Sequence, residues 1–469
     1  MNKKIALFLL GNILPQGLIA IVFIILAKLL TNQQFGELVL VDSIFQLMVV
    51  GFLLGNDKAV ERLSFESEGG EKYNQNLLFG TIGVATIFLA ITLITNTIFF
   101  ETFQKIIKID FLSNELMLGL VIASWLAAIF QLVQSYEYKR LNAIGVLLLK
   151  LSRALIYAAV LLYLIYHASP PSFSKVCAEI IALTAPLLVF WYLRTKDQST
   201  AGLISFAPLK AAIALRDSLS YSLPFFLAVV SSISMSNLDK FFINKSLGAH
   251  ELASYAIAQK FSLVFLMIAG GIAAITPPVF FRTFHENSNK AYLFADKILH
   301  IVFLGILFFS MSAQIVVPYI FPDTSKEILI YLIGILPGAY CSIIVSYGPV
   351  LCLLQDKRSF ANMMTGIVTA GLNLIFLYFL IPLAGVWGAV ISYSASMLFL
   401  LILQLKLIRS RHSDFPNGLR RVAILITVCF AFIFFVKNDY FWIEHSTLYF
   451  LPLMFFLAKS AISRFKYLS

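Results

Sequence analysis

Charged residues are scarce in this chain. Of its 469 residues, 13% are charged and 60% are hydrophobic, whereas soluble domains carry about 25% charged residues. The mean hydropathy is +0.88. So little charge excludes an ordinary soluble domain and predicts an all-α polytopic membrane protein, provided that the apolar residues fall into long runs.

Cysteine, histidine and catalytic motifs are also sparse. The four cysteines lie in apolar segments without CxxC spacing, and the six histidines are scattered. There is no HExxH, GxSxG or P-loop pattern, and no loop is long enough to hold a soluble domain. The sequence therefore favours a non-enzyme without a metal or other cofactor, and energy would come from a proton or sodium gradient, from the membrane potential or from consumption of the product.

Long apolar runs are what the sequence does contain. Fourteen of them are long enough, or nearly so, to cross a hydrocarbon core of about 30 Å. They do not alternate as barrel strands would, so they predict helices. The runs are 5–31, 35–56, 77–100, 112–136, 142–167, 175–194, 218–243, 251–281, 298–320, 328–354, 360–381, 384–407, 421–437 and 444–462.

The distribution of Lys and Arg predicts the orientation. With the N-terminus in the cytoplasm, 24 of the 35 Lys and Arg fall in cytoplasmic segments and six, including Lys175, in outer loops. This is the positive-inside bias of a membrane protein with both termini in the cytoplasm. Because the net charge of +11 is spread over short loops, it excludes nucleic acid as a partner. We expect a monomer surrounded by membrane lipid.

Two recurring patterns predict an internal repeat. Lys28, Asn32 and Gly36 recur at the same mutual spacing in the second half, as Lys240, Asn244 and Gly248. The loop that begins Lys139-Arg140 recurs at nearly the same offset as Lys357-Arg358. Both copies would start inside, so they predict two parallel six-helix lobes related by a pseudo-two-fold axis along the membrane normal.

The repeat sets the predicted domain boundaries. Pro208 begins a stretch with Lys and Arg among alanines and leucines, which predicts a short cytoplasmic interfacial helix in the linker between the lobes. The four predicted parts are the first lobe at 1–194, this linker at 195–217, the second lobe at 218–407, and a C-terminal helix pair with a tail at 408–469.

One apolar run, 145–165, carries two cations in its interior. Arg153 lies roughly 20 Å from either predicted end, and Lys150, Arg153 and Tyr157 share one helix face. Because a cation at mid-membrane is unfavourable, it usually faces a cavity or a partner. Two interpretations stay open: a cavity that binds an anionic headgroup, or internal ion pairs such as Asp42 with Arg153 or Glu179 with Lys150.

Other polar residues extend this candidate site. Asp42 is a further cavity or counter-ion candidate, and Lys260, inside span eight, is the main contribution from the second half, because Val368 and Gly371 occupy the positions equivalent to Lys150 and Arg153. The candidates for cavity or gate, some of which could simply extend to the interface, are Asn12, Gln16, Gln46, Lys28, Lys240, Asp57 and Lys58.

Three stretches resemble a known family. They are GNILPQGLIAIVFIILAKLLTNQQFGELVLVDSIFQ from Gly11, DKFFINKSLGAHELASYAIAQKF from Asp239, and AGVWGAVISYSASMLFL from Ala384. The chain is similar to the polysaccharide-repeat (Wzx-type) flippases of the multidrug/oligosaccharidyl-lipid/polysaccharide (MATE/MOP) exporter superfamily, in a pattern of spans and loose motifs that covers essentially its whole length.

The resemblance implies two six-helix lobes and alternating access. It implies transfer of an undecaprenyl-diphosphate-linked oligosaccharide to the outer leaflet for O-antigen, capsule or exopolysaccharide assembly, with a polymerase and a chain-length regulator as partners. It also implies a cationic cavity, which Lys150, Arg153 and Lys260 would match. The alternatives are a cation-coupled small-molecule exporter, a lipid II flippase and, from another class, a membrane glycosyltransferase or polymerase subunit.

Overall fold

The computed structural model describes residues 2–57, 60, 70–107, 111–139, 143–167, 169–196, 208–347, 349–355, 359–409, 421–422 and 424–426, and the regular structure within them is α-helical. The all-α fold is confirmed. The helices are α1 (Asn2–Leu29), α2 (Asn32–Leu53), α3 (Gly70–Ile107), α4 (Asn114–Lys139), α5 (Ala143–Tyr166), α6 (Pro171–Lys196), α7 (Pro208–Leu247), α8 (Ala249–Glu286), α9 (Ser288–Ile320), α10 (Ser325–Tyr347), α11 (Pro349–Gln355), α12 (Ser359–Ala384) and α13 (Val386–Ile408).

These helices follow the first twelve predicted spans. Helices α1 to α9 correspond to spans one to nine, α10 and α11 share span ten, and α12 and α13 correspond to spans eleven and twelve. Among the described residues, nine helical segments are long and apolar enough to cross a membrane, and Ile13–Leu29 is a shorter apolar segment. The chain is therefore a multi-pass membrane protein. Spans thirteen and fourteen lie almost wholly outside the described residues, so the count of fourteen stays a prediction.

Helices suit these sequences because a helix satisfies its own backbone polar groups where no water is available. Hydroxyl side chains within the spans likewise donate hydrogen bonds to backbone carbonyl oxygens of their own helix. Ser43 donates to the carbonyl oxygen of Val39 at 2.9 Å, and Thr369 donates to that of Thr365 at 2.7 Å. These side chains therefore enter buried helices without leaving an unsatisfied donor.

Packing divides the chain into two compact units, Met1–Ala249 and His250–Ser469. In the first unit α5 packs against α1 and α6, and α2 packs against α4 and α7. In the second unit α13 packs against α10 and α12. Helix α7 thus packs with the first unit, although it is the first span of the predicted second lobe. The predicted lobe boundaries stay a prediction.

Helix α7 begins at Pro208, a residue favoured at the first helical position because its nitrogen needs no acceptor there. The helix continues to Leu247 without a break at position 217, where the short interfacial helix was expected to end. The interfacial placement of its first turns stays a prediction.

The two copies of the first repeated motif lie at different positions relative to the helix ends. Asn32 is the first residue of α2, whereas its counterpart Asn244 lies in the last turn of α7, and α8 begins only at Ala249. The two matched glycines also have different roles. Gly248 adopts φ +93° between α7 and α8, whereas Gly36 lies inside α2, where a Cβ atom would overlap the carbonyl oxygen of Ala249.

Candidate functional site

Lys175 lies among several charged side chains in the first unit. It is fully buried one turn inside α6, with Nζ 2.7 Å from Asp42 Oδ1 and 3.9 Å from Glu179 Oε1. The assignment of Lys175 to an outer loop is therefore wrong, because α6 begins at Pro171 rather than near position 175. The predicted orientation rests on the other Lys and Arg residues and stays a prediction.

Aromatic rings from three helices surround this ammonium group. Lys175 Nζ lies 5.7 Å from the centroid of the Phe23 ring, 5.5 Å from that of Phe45 and 5.8 Å from that of Tyr157. Ring faces attract cations at this range, and they exclude water from the ion pair. Helices α1, α2, α5 and α6 thus meet around one buried charge. Tyr157, a predicted site residue, is part of this packing.

Arg153 projects from α5 toward the same charges. Its Nη2 donates to Glu179 Oε2 at 3.0 Å, and its guanidinium carbon lies 5.5 Å from the centroid of the Phe130 ring. The side chain is 23% exposed. Nε, although buried, finds no acceptor among the described residues. Neither ion pair considered from the sequence forms, since Asp42 pairs with Lys175 and Glu179 with Arg153.

A chain of amide contacts extends the network to α7. Gln46 Nε2 donates to Asp42 Oδ2 at 3.0 Å, as the i, i+4 spacing predicts, and Asn237 Nδ2 contacts Gln46 Oε1 at 3.4 Å. Lys240 Nζ in turn donates to Asn237 Oδ1 at 2.9 Å and to the carbonyl oxygen of Ser236 at 2.7 Å. Lys240 is buried, so the interpretation that it extends to the interface is wrong.

The charges at the centre of this network balance. Lys175 and Arg153 carry two positive charges, and Asp42 and Glu179 carry two negative charges. The first unit therefore holds compensated ion pairs rather than a row of bare cations. Such pairs hold helices in register, and an anion can compete for them only where a cation is still accessible. Arg153 is the half-buried cation of this set.

The other predicted residues lie around the network or outside it. Lys150 is half-buried on α5 one turn before Arg153, and Asp57 is half-buried after α2. Lys260 is half-buried on α8, in the second unit, and its participation in one site with Arg153 stays a prediction. Gln16 and Lys28 are exposed on α1. The side chain of Asn12 and the whole of Lys58 are not among the described residues.

Sequence reasoning missed Lys175 and Asn237. Two signals could have revealed them: Lys175 and Glu179 are at i and i+4, and Asn237 and Lys240 are at i and i+3, so each pair shares one helix face. Placing the start of span six at Pro171 would have moved Lys175 from the loop into the membrane.

Comparisons with known proteins agree with this architecture. The profile of the family described as "Polysaccharide biosynthesis protein" matches residues 1–284. A comparison with curated protein sequences gives no significant match. Among solved structures, a lipid II flippase MurJ in an inward closed conformation is similar over 98% of both chains, with 13% identity and a TM-score of 0.69.

Multidrug exporters share the fold as well. An inward-facing MATE family transporter of the MOP superfamily is similar over 88% of this chain and 96% of its own, with 16% identity and a TM-score of 0.64. A point mutant of the Vibrio cholerae MATE transporter VcmN is similar over 88% of this chain and 97% of its own, with 13% identity and a TM-score of 0.64. At these identities the likeness shows the fold, which is that of MurJ and the MATE transporters.

Proposed function

The chain belongs to the polysaccharide biosynthesis protein family, and from this membership we propose that it is a flippase for a lipid-linked oligosaccharide. Its substrate is an undecaprenyl-diphosphate-linked repeat unit, which it moves to the outer leaflet of the bacterial inner membrane by alternating access. The product supplies O-antigen, capsule or exopolysaccharide assembly, where a polymerase and a chain-length regulator act next. The family and the transporter fold support a carrier rather than an enzyme.

Arg153 is the observation that carries the proposal. It combines a mid-helix position in α5, a partly exposed side chain and an Nε without an acceptor among the described residues. A guanidinium has five N–H donors in a planar fork that matches a diphosphate. Glu179 pre-orients that fork, and Lys150 adds a second cation one turn away. Arg153 can therefore accept the headgroup while α5 stays neutralised before binding.

Cation-coupled export of a small molecule is the second candidate. It is favoured by the carboxylates buried in the first unit, which include Asp42, Glu137, Glu179 and Asp239, since such an exporter needs an acidic site for its proton or sodium ion. Asp42 and Glu179 are bound to cations here, and Asp239 accepts from the backbone N–H of Lys240 at 2.8 Å. That pairing fits counter-ions of an anion site better than a vacant cation site, so the flippase is preferred.

Deletion of the gene separates the two candidates in the cell. We expect the deletion strain to lose surface polysaccharide and to accumulate lipid-linked repeat units, with unchanged drug sensitivity. A complementing plasmid should restore the polysaccharide. Normal polysaccharide together with increased drug sensitivity would contradict the flippase and support the exporter.

The variant Arg153→Gln tests the headgroup site. We expect it to weaken binding of a radiolabelled polyprenyl diphosphate by roughly 10- to 100-fold, because a hydrogen bond to a charged group contributes about 1.5–3 kcal/mol. The matched control is Arg421→Gln in the second unit. Arg421 is 17% exposed and its Nη2 lies 2.7 Å from Asp296 Oδ1, so the control also breaks a partly buried ion pair. Equal binding losses in both variants would exclude a specific role for Arg153.

A further inference from the structure

The polar network of the first unit forms one continuous path across four helices. It runs from Arg153 on α5 to Glu179 and Lys175 on α6, to Asp42 and Gln46 on α2, and ends at Asn237 and Lys240 on α7. Successive contacts along it measure 3.0, 3.9, 2.7, 3.0, 3.4 and 2.9 Å. The path begins at a partly exposed cation and ends at a buried one, so a change at one end can reach the other.

The path crosses from α2 to α7 through one hydrogen bond, whose donor, Asn237 Nδ2, also donates to the carbonyl oxygen of Ile233 at 3.1 Å. Two side-chain amides make it, Gln46 and Asn237, and at 3.4 Å it lies near the limit of a hydrogen bond. Gln46 holds its Oε1 toward Asn237 because Asp42 accepts from its Nε2. Asp42 is in turn fixed by Lys175. The orientation of the amide therefore depends on the ion pair behind it.

We propose that Asp42, Gln46, Asn237 and Lys240 form a latch between α2 and α7, and that an anion bound at Arg153 releases it. The release rests on the proposed function, whereas the latch itself does not. An anion that takes the Arg153 guanidinium frees Glu179 Oε2. Glu179 then attracts Lys175 Nζ, which is already 3.9 Å from its other oxygen, and draws it away from Asp42. Asp42 and Gln46 lose their fixed geometry, and the Asn237 contact is lost.

The chemistry favours this direction of control. Before substrate binds, every charge at the core of the path is compensated and the two helices are joined. A diphosphate adds negative charge at the partly exposed end of the path, where competition with a carboxylate is direct. Loss of the hydrogen bond between Gln46 and Asn237 would then follow substrate binding and not precede it, so the bond stays formed while no substrate is bound.

Distance measurements between spin labels test both halves of the proposal. The labels are placed at two exposed positions, Gln33 on α2 and Ser246 on α7. The four native cysteines are replaced beforehand, and the labelled protein is reconstituted in nanodiscs. Without ligand, we expect a narrow distribution of label-to-label distances in the protein with the unaltered latch. Asn237→Leu should broaden this distribution toward longer distances. Asn373→Leu is the matched control, because Asn373 is also 2% exposed and donates to a neighbouring helix, at Ser396. It should leave the distribution unchanged.

Geranylgeranyl diphosphate then tests the release. In the unaltered chain, it should shift the distance distribution between the labels toward the longer distances expected for Asn237→Leu. In Arg153→Gln, it should leave the distribution unchanged. If Asn237→Leu gives the same distribution as the unaltered chain, the latch is wrong. If the diphosphate binds without a distance change, the release is wrong and the proposed function stands. If Asn237→Leu lengthens the distances but no diphosphate binds the unaltered chain, the latch stands and the proposed headgroup site fails.

Discussion

Lys175→Met should cause the largest loss of stability of any single change in the first unit. The substitution keeps the unbranched, packed volume but removes a fully buried ammonium group that lies 2.7 Å from Asp42. Asp42 would be left as a buried carboxylate without its cation, and loss of one partner of a buried pair costs about 3–5 kcal/mol. The purified protein should therefore unfold at a much lower temperature in detergent, and polysaccharide export should fail.

The double variant Asp42→Asn, Lys175→Met separates loss of charge balance from loss of packing. An asparagine in place of Asp42 keeps an oxygen that can accept from Gln46 and needs no cation, so much of the lost stability should return. Thermal unfolding of the two single variants and the double variant gives the coupling free energy between the residues. Additive losses would show that Asp42 and Lys175 do not interact, contrary to the structure.

Gly36→Ala should disrupt the start of α2 by direct collision. A Cβ atom at position 36 would overlap the carbonyl oxygen of Ala249 and lie 2.8 Å from its carbonyl carbon. Both atoms belong to backbone, so no side-chain rotation relieves the contact. Overpacking a rigid site costs about 1–3 kcal/mol or more. Helix α2 must therefore move away from the turn that begins α8, and we expect export to fall at least tenfold.

Gly51→Ala is the matched control for this change, because Gly51 lies in the same helix and a Cβ atom there meets nothing within 4 Å. Alanine is the better helix former by roughly 1 kcal/mol, so this variant should be neutral or slightly more stable. Thermal unfolding and export are measured for both variants. Equal behaviour of the two would show that the close approach of Gly36 to Ala249 does not exist in the membrane.

The sequence was sufficient for the architecture, because membrane helices have a strong local signal. Long apolar runs predicted the positions of the first twelve spans. Most helices begin and end within a few positions of them, and some, such as α3 and α7, are longer than the predicted run. The sequence also predicted that Arg153 needs a partner or a cavity, since a cation at the centre of an apolar run is unfavourable. The i, i+4 contact of Asp42 with Gln46 followed from helix geometry alone.

The ion-pair and hydrogen-bond partners of side chains on different helices could not be predicted in the same way. Asp42 pairs with Lys175 across 133 positions of sequence, and Gln46 meets Asn237 across 191. Such contacts depend on how helices pack, which a single sequence does not specify. The burial of Lys175 was also hard to predict because the residue lies near a helix start, where a lysine side chain usually reaches water. The repeated loop motif likewise did not predict where α2 and α8 begin, because its two copies lie at different positions relative to the helix ends.

Transfer of a lipid-linked oligosaccharide between leaflets is the central claim and can be measured directly. Purified protein is reconstituted in liposomes with a fluorescent polyprenyl-diphosphate-linked oligosaccharide, and a membrane-impermeant quencher reports the fraction in the outer leaflet over time. The account predicts rapid transfer with the unaltered chain, slow transfer with Arg153→Gln and normal transfer with Arg421→Gln. A transfer rate equal to that of protein-free liposomes, in a preparation that transports a cationic drug against a proton or sodium gradient, would contradict it.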